Sequence, residues 1–453
     1  MSTLISKYNV AGPRYTSYPT VPYWDQESFS LKVWKETLQK SFHESNANEG
    51  ISLYIHLPFC ESMCTFCGCN KRITKNHNME MPYIKSVIKE FIMYYELFDE
   101  KPKIKQLHLG GGTPTFFSSE NLRRLLSGIF TIALKAENCE LSFEGHPNNT
   151  TKEHLTALAK QGFSRVSYGI QDYNSIVQKA INRVQPYKNV LRATIEARAE
   201  GYDSVGHDII YGLPFQTQEG VINTINKTIT LRPDRIAFYS YAHVPWMKGN
   251  GQRGFKNRDL PTANQKSLQY ETGKSMLVKA GYIEIGMDHF ALKTDSLYIA
   301  QQNSSIHRNF MGYNASKTQV MIGLGVSSIS DSWYGFAQNV KNIEEYQNLL
   351  NDNIFPVCRG HILTQEDLII RKHILNLMCT FQTSWVDDAL FFPELPSVLM
   401  KLKELENDGL IKIMSKKLIV TEKGRPFLRN VCLPFDMRLQ HKKPKTKLFS
   451  MTV

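Results

Sequence analysis

Residues 60–70 read CESMCTFCGCN and set Cys60, Cys64, Cys67 and Cys69 on one short loop, half of the eight cysteines in the chain. Thiolates are soft ligands, and close spacing lets a single loop wrap a metal centre. Structural zinc sites usually pair two CxxC-type knuckles across a longer spacer. Here the spacing is C-x3-C-x2-C-x-C, with no distant second knuckle. That pattern suits an iron–sulfur cluster better than zinc, with zinc as the standing alternative. Disulfides fit poorly. The N-terminal stretch MSTLISKYNVAGPRYTSYPT lacks a basic segment followed by an apolar one, so the expected compartment is a reducing cytoplasm. Cys139, Cys358, Cys379 and Cys432 are scattered and read as small buried hydrophobes.

Other polar candidates stand where strands are expected to end. ISLYIHLPF leads into the cysteine loop, and IKQLHL leads into the glycines Gly110, Gly111 and Gly112. CELSFEGHP carries Glu144, RVSYGIQ ends at Gln171, and SVGHDIIYGLP contains Asp208. RIAFYSYAHVP carries Tyr239, Tyr241 and His243, and YIEIGMDHF reads as a further strand. Between them lie helical stretches such as TKEHLTALAKQ and VLRATIEARAE, and SSENLRRLLSGIF with Ser118 or Ser119 as cap. Three helices are expected to stop at Gly162-Phe163, Gly201-Tyr202 and Gly281-Tyr282, where glycine can take the left-handed conformation. Strands alternating with helices imply a parallel sheet, here a full or partial α/β barrel. In such a fold the loops after the strands carry function, so a glycine triplet and single carboxylates that are each bland alone become a candidate site together.

The 453 residues suffice for two or three domains, and 42% hydrophobic with 21% charged residues is ordinary globular composition. No apolar run reaches the length of a membrane span. The formal charge of +12 favours acidic partners such as a polycarboxylate, nucleic acid or anionic lipid. After about residue 340 the pattern changes to amphipathic helices and a hairpin, as in a winged-helix unit. Arg438, Lys442, Lys443, Lys445 and Lys447 make the tail basic, yet a packing domain with a solvated tail is preferred to specific nucleic-acid binding.

CESMCTFC after a first strand resembles the signature of the radical S-adenosylmethionine (SAM) superfamily, and GGGTPT its glycine motif. Together with AGPRYTSYPT, IYGLP, YAHVP, GMDHFA and HRNFMGY, the chain resembles the oxygen-independent coproporphyrinogen III oxidases from Tyr8 to about Arg438. Haem-chaperone relatives share the barrel and three cysteines but generally lack the RYTSYPT arm and carry an aromatic where Cys69 stands; a haem-binding or haem-transfer protein is the alternative reading. The resemblance implies an N-terminal arm and lid over 1–48, a radical SAM partial barrel over 49–340, and a mostly helical, winged-helix-like domain over 341–453.

It also implies that Cys60, Cys64 and Cys67 hold three irons of one [4Fe–4S] cluster, whose fourth iron is chelated by SAM. Cys69 is then not a ligand. Two SAM molecules are implied. Tyr54, Gly111, Glu144 and Ile329 match the positions around the first, and Phe66, Gly112, Thr113, Gln171, Arg183, Asp208 and Ala242 those around the second. A 5′-deoxyadenosyl radical would take hydrogen from two propionates of coproporphyrinogen III, and loss of carbon dioxide would leave vinyl groups. Arg14, His307 and Arg308 are the candidates to pair propionates. A reducing donor such as flavodoxin or ferredoxin is implied, and the expected state is a cytoplasmic monomer. One departure stands out: GHPNN follows at Gly145, where the family pattern is more acidic with an Asp before the proline.

Overall fold

The computed structural model describes residues 2–246, 251–252, 254–442, 444, 446 and 448–452. Strands β1 (Ile51–Leu57), β2 (Lys103–Gly111), β3 (Leu134–Gly145), β4 (Phe163–Gln171), β5 (Ser204–Tyr211) and β6 (Arg235–Ser240) follow one another in parallel across one sheet. Helices α1 (Glu80–Tyr95), α2 (Ser119–Ile132), α3 (Lys152–Lys160), α4 (Tyr187–Ala199) and α5 (Gln218–Leu231) connect them. Ser118 caps α2 by accepting from the Asn121 amide. Gly162, Gly201 and Gly281 all have φ near +90°, as the helix-stop reading requires.

Alternation along each strand divides the sheet into two faces. Leu53, Leu107, Phe143, Val166, Val205 and Ile236 join one apolar cluster with the helices. The intervening positions, among them Tyr54, His108, Glu144, Arg165, Asp208 and Tyr239, face the other way, into the curve of the sheet. Helices thus cover one face and leave the other free for polar work.

YIEIGMDHF is not one strand. It breaks at Gly286 into β7 (Ile283–Gly286) and β8 (His289–Ala291), which pair antiparallel, because the turn at Met287–Asp288 reverses the chain. β8 runs antiparallel to β6. A short hairpin follows, β9 (His307–Asn309) and β10 (Gly312–Asn314). Then β11 (Val320–Leu324) returns to the far side and pairs parallel with β1. The antiparallel strands β12 (Ile329–Asp331), β13 (Gly335–Asn339) and β14 (Val357–Ile362) extend that edge. The sheet has twelve strands, is open at β7 and β14, and is a partial barrel rather than a closed one.

The C-terminal region packs α6 (Gln365–Thr380) and α7 (Leu395–Asn407) with a three-stranded antiparallel sheet, β15 (Gln382–Ser384), β16 (Ile411–Met414) and β17 (Lys417–Val420). Helix, strand, helix and hairpin in that order make the winged-helix-like unit. The N-terminal arm belongs to this core: Ile5, Tyr8, Tyr15 and Tyr18 are buried in it. Arg429 donates to the carbonyls of Gly12 and Pro13, and Arg14 crosses to Asp288 at 2.9 Å. Of the basic tail, Arg438 is tied down by a bidentate pair to Asp367 at 2.7 Å. Lys443, Lys445 and Lys447 lie outside the described residues. Among the described residues no helix is long and apolar enough to cross a membrane.

Candidate active site

The cysteine loop leaves β1 at Pro58 and is closed at its base. Phe59–Cys60 pairs in parallel with Arg72–Ile73. Its far side is fixed to the segment after β4. The Thr65 amide donates to Ile181 O at 3.0 Å, Thr65 Oγ1 to Ala180 O at 3.0 Å, and Asn182 Nδ2 to Met63 O at 2.8 Å. Lys71 Nζ reaches back to the carbonyls of Cys67 and Cys69 at 3.4 and 3.3 Å. The loop is therefore rigid although it carries little apolar weight of its own.

Its thiols open on a cavity of about 390 Å³ at the C-terminal ends of the parallel strands. Cys60, Cys64, Cys67 and Phe66 line it, with Gly111, Gly112, Thr113, Glu144, Gln171, Arg183 and Asp208. Cys60 Sγ is 3.3 Å from Thr113 Oγ1, and Arg183 Nη1 lies 3.7 Å from Cys64 Sγ. Burial pushes the Cys60 thiol up to about 11. Cys67 is held below its ordinary value by the hydrogen bond from Cys69, which outweighs burial with help from the Lys71 charge. Cys69 is raised correspondingly. Cys69 lies close to Cys67 in the loop and lines the same cavity.

Glu144 opens half-exposed onto the cavity, with His108 Nε2 at 3.5 Å. Depth in the fold pushes its carboxyl up, but the His108 bond and charge and the Gly111 amide together hold it below the usual range. Among the described residues Asp208 has only Ser167 Oγ, at 3.1 Å, as a hydrogen-bond partner. Burial and the Glu144 charge raise it to about 7. Gln171 ends β4 with φ of 68°, a left-handed conformation that is uncommon for a non-glycine residue and belongs where surrounding structure enforces it.

A model of the Radical SAM superfamily matches residues 54–228. The oxygen-independent coproporphyrinogen III oxidase of Synechocystis sp. is 38% identical over 99% of this chain and 97% of its own length. That of Escherichia coli is 36% identical over 97% of this chain and 95% of its own. The solved coproporphyrinogen III oxidase from Escherichia coli, a radical SAM enzyme, has a TM-score of 0.88 at 34% identity, covering 96% of this chain and 98% of that one. This chain belongs to the oxygen-independent coproporphyrinogen III oxidases.

Membership in this oxidase family brings a [4Fe–4S] cluster and SAM as cofactors. The residues present fit the cluster. Four thiols on one anchored loop, Cys69 among them, face a common cavity, with a hydroxyl against Cys60 and a guanidinium against Cys64. Carboxylate and amide groups on the strand side of the cavity, with the Arg183 guanidinium beside Cys64, have the donor and acceptor types that an amino acid with a ribose needs.

Three of the family-matched positions lie off the cavity wall. Tyr54 stands just behind it: its hydroxyl is 3.1 Å from His56 Nδ1 and its ring stacks on His108. The Ala242 carbonyl accepts from Gln252, which also donates to Phe66 O, so it is tied to the cysteine loop. Ile329 on β12 packs beside Trp24 and Phe336.

The glycine triplet has a tighter reason than ligand approach alone. A Cβ on Gly111, whose φ is +115°, would stand 2.8 Å from the His56 ring, and one on Gly112 would stand 2.7 Å from the Pro58 backbone. The second loop is pressed against the first.

Sequence reading passed over His56, His108 and Lys71. His56 Nε2 donates to Asn70 O at 2.8 Å and so ties the end of the cysteine loop to β1; burial keeps it neutral. The signal was available: YIH and QLHLG put histidines two residues from inward-facing groups on neighbouring strands. At the GHPNN departure His146 lines the cavity and is buried, and burial with the Arg183 charge holds it neutral, down at about 3. An uncharged imidazole thus stands beside Arg183.

Proposed function

We propose that this chain converts coproporphyrinogen III to protoporphyrinogen IX without oxygen, by oxidative decarboxylation of two propionates to vinyl groups, in haem biosynthesis. One observation carries the reading. The cysteine loop, the glycine loop, Glu144, Gln171, Arg183 and Asp208, drawn from five strands and their loops, meet on one cavity.

Cys60, Cys64 and Cys67 would hold the [4Fe–4S] cluster. When bound and reduced, the cluster with SAM supplies a carbon-centred radical able to take a hydrogen atom from a propionate β-carbon. Each vinyl group formed releases one carbon dioxide and one electron besides that hydrogen.

The residues of this chain hold and orient. Glu144, kept ionised by His108, accepts from the ammonium of SAM. Asp208, raised by burial and the Glu144 charge, is matched to a ribose or an ammonium of a second SAM, with Gln171 and Arg183 at the other polar groups of that molecule. Thr113 and Arg183 orient the loop sulfurs. The arm serves as a lid that keeps water from the reacting groups, a role supported by the pairing of Arg14 with Asp288 in the turn before β8. The electron comes from a flavodoxin or ferredoxin, and the chain acts as a monomer in the cytoplasm without specific nucleic-acid binding.

The test is anaerobic incubation of cluster-reconstituted protein with a reductant, SAM and coproporphyrinogen III. Protoporphyrinogen IX is the expected product. Tight haem binding with no product would replace this reading with haem transfer.

A further inference from the structure

The three candidates for pairing propionates have very different surroundings. Arg14 is spent: its guanidinium pairs with Asp288 at 2.9 Å and donates to Ser240 O at 3.1 Å. His307 is buried and held neutral by burial and the fields of Arg371 and Lys317. Arg308 is 6% exposed, and among the described residues no carboxylate pairs with it. Its Nε and Nη2 donate at 3.3 Å to the backbone carbonyls of Tyr15 and Arg14, and its Nη1 has no partner.

A second donor stands unmet beside it. His289 Nε2 lies 3.4 Å from the Tyr239 hydroxyl, and His289 Nδ1 has no partner; with that hydroxyl donating to Nε2, Nδ1 carries the proton and is free to donate. Both groups flank one ring. The guanidinium lies 4.5 Å over Tyr313, and the His289 ring lies 5.2 Å from it, edge-on. Tyr239 lines the SAM cavity, so this pair sits just beyond the cavity wall, under the arm. A buried guanidinium without a counter-charge is costly, and so is a buried N–H without an acceptor. One carboxylate would satisfy both, with the geometry that arginine favours.

We infer that Arg308 and His289 form a carboxylate-binding subsite under the arm, and that it anchors one propionate of the tetrapyrrole substrate. This rests on the substrate class proposed above. The backbone contacts from Arg14 and Tyr15 then have a use. The arm's own carbonyls partly satisfy Arg308 and couple its ordering to occupancy of the subsite.

The probe is coproporphyrin III, a fluorescent tetracarboxylate, compared with its tetramethyl ester, each titrated anaerobically into full-length protein. Wild type is expected to bind the acid at least 10-fold more tightly than the ester. Arg308→Gln should weaken acid binding 10- to 100-fold and leave ester binding unchanged, so that the preference collapses; Arg308→Lys should restore part of it. His289→Phe keeps the ring on Tyr313 but removes the donor, and should weaken acid binding 3- to 10-fold. In turnover both variants should raise KM more than they lower kcat. Undiminished acid preference in folded Arg308→Gln, or in His289→Phe should the first not fold, overturns the subsite. If wild type forms protoporphyrinogen IX while these variants bind normally, only the subsite fails. If wild type forms no product, the proposed function fails whatever the variants do.

Discussion

The inside of the curved sheet has two ends built on opposite principles. At the N-terminal end of the strands, Glu140, Arg165, Arg235 and Asp295 form a closed, neutral network. Arg165 meets Glu140 at 3.1 Å, Arg235 meets Asp295 at 2.6 Å, and Arg235 also reaches Glu140 at 3.6 Å. Ser142, Ser204 and Ser296 take the remaining bonds. Burial raises Glu140, yet the two arginines hold it down at about 2. At the C-terminal end, only 4 residues further along β3, Glu144 opens onto a cavity and Asp208 is raised to about 7. The same strands thus carry a finished polar plug at one end and an unfinished polar set at the other. Unfinished groups invite a ligand; finished ones hold the sheet together.

The sharpest break is at the thiols. Cys60→Ala, Cys64→Ala or Cys67→Ala should abolish cluster assembly, taking iron from about four per chain to near none. Cys69→Ala should keep most of the iron, since Cys69 stands outside the proposed ligand set. Iron and labile sulfide analysis after anaerobic reconstitution checks this, and loss in Cys69→Ala with retention in Cys67→Ala would reverse the assignment.

Next comes a paired exchange between the two ends. Glu140→Gln leaves two buried arginines short of a counter-charge, and breaking such a pair costs roughly 3–5 kcal/mol. Thermal unfolding should show a marked loss, with SAM affinity within 3-fold of wild type. Glu144→Gln should do the reverse, with little change in unfolding and SAM binding weakened at least 100-fold. If both variants act alike, the division between plug and site is wrong.

Asp208 gives a smaller, pH-dependent signature. Its folded carboxyl keeps its proton up to about pH 7, whereas the unfolded one releases it near 4. Between those values the folded state binds more protons, so the stability from this group is full below about pH 4 and is lost as pH rises through 7. The SAM-free Asp208→Asn variant should therefore be more stable than wild type above pH 7 and lose that advantage below pH 4. Denaturant midpoints across pH measure it. A constant difference at all pH values would mean that Asp208 already has a partner.

The smallest effects belong to single substitutions in the arm. Arg14→Ala should lower turnover several-fold while SAM binding and iron content stay normal. Lys7→Ala, which removes an exposed pair to Asp408 and Glu404, should change turnover by less than 2-fold. Deleting residues 1–20 should abolish decarboxylation and retain the cluster; normal product from the truncated protein would end the lid reading.

Legibility in the sequence followed locality. The metal-binding loop was readable because its thiols are neighbours in the chain. Strand and helix alternation was readable because Gly162, Gly201 and Gly281 mark helix ends by a single-residue property, positive φ. The hairpin at Gly286 was missed because a tight turn between short apolar runs looks like one strand. Strand β11 was missed because VMIGL, isolated after a long irregular stretch, has no helix beside it to mark the unit. His56 and His108 were missed because a histidine in a strand has no local signature of its task.

The sequence by itself determined the clustering of four thiols on one loop, the order of parallel units and the placing of polar residues at strand ends. These depend on spacing of two to four residues and on period-two alternation, which chain geometry imposes without any partner. Only the tertiary structure decided which of the polar groups meet. Arg183 comes against Cys64 from 119 residues away, and the arm covers Arg308 from 293. Such meetings depend on strand register, including the irregular steps between β4 and β5, and on how a separate domain folds back over the open end. A change of register by one residue would turn every inward group outward. The chemistry of the site was written locally, and its assembly was settled by packing.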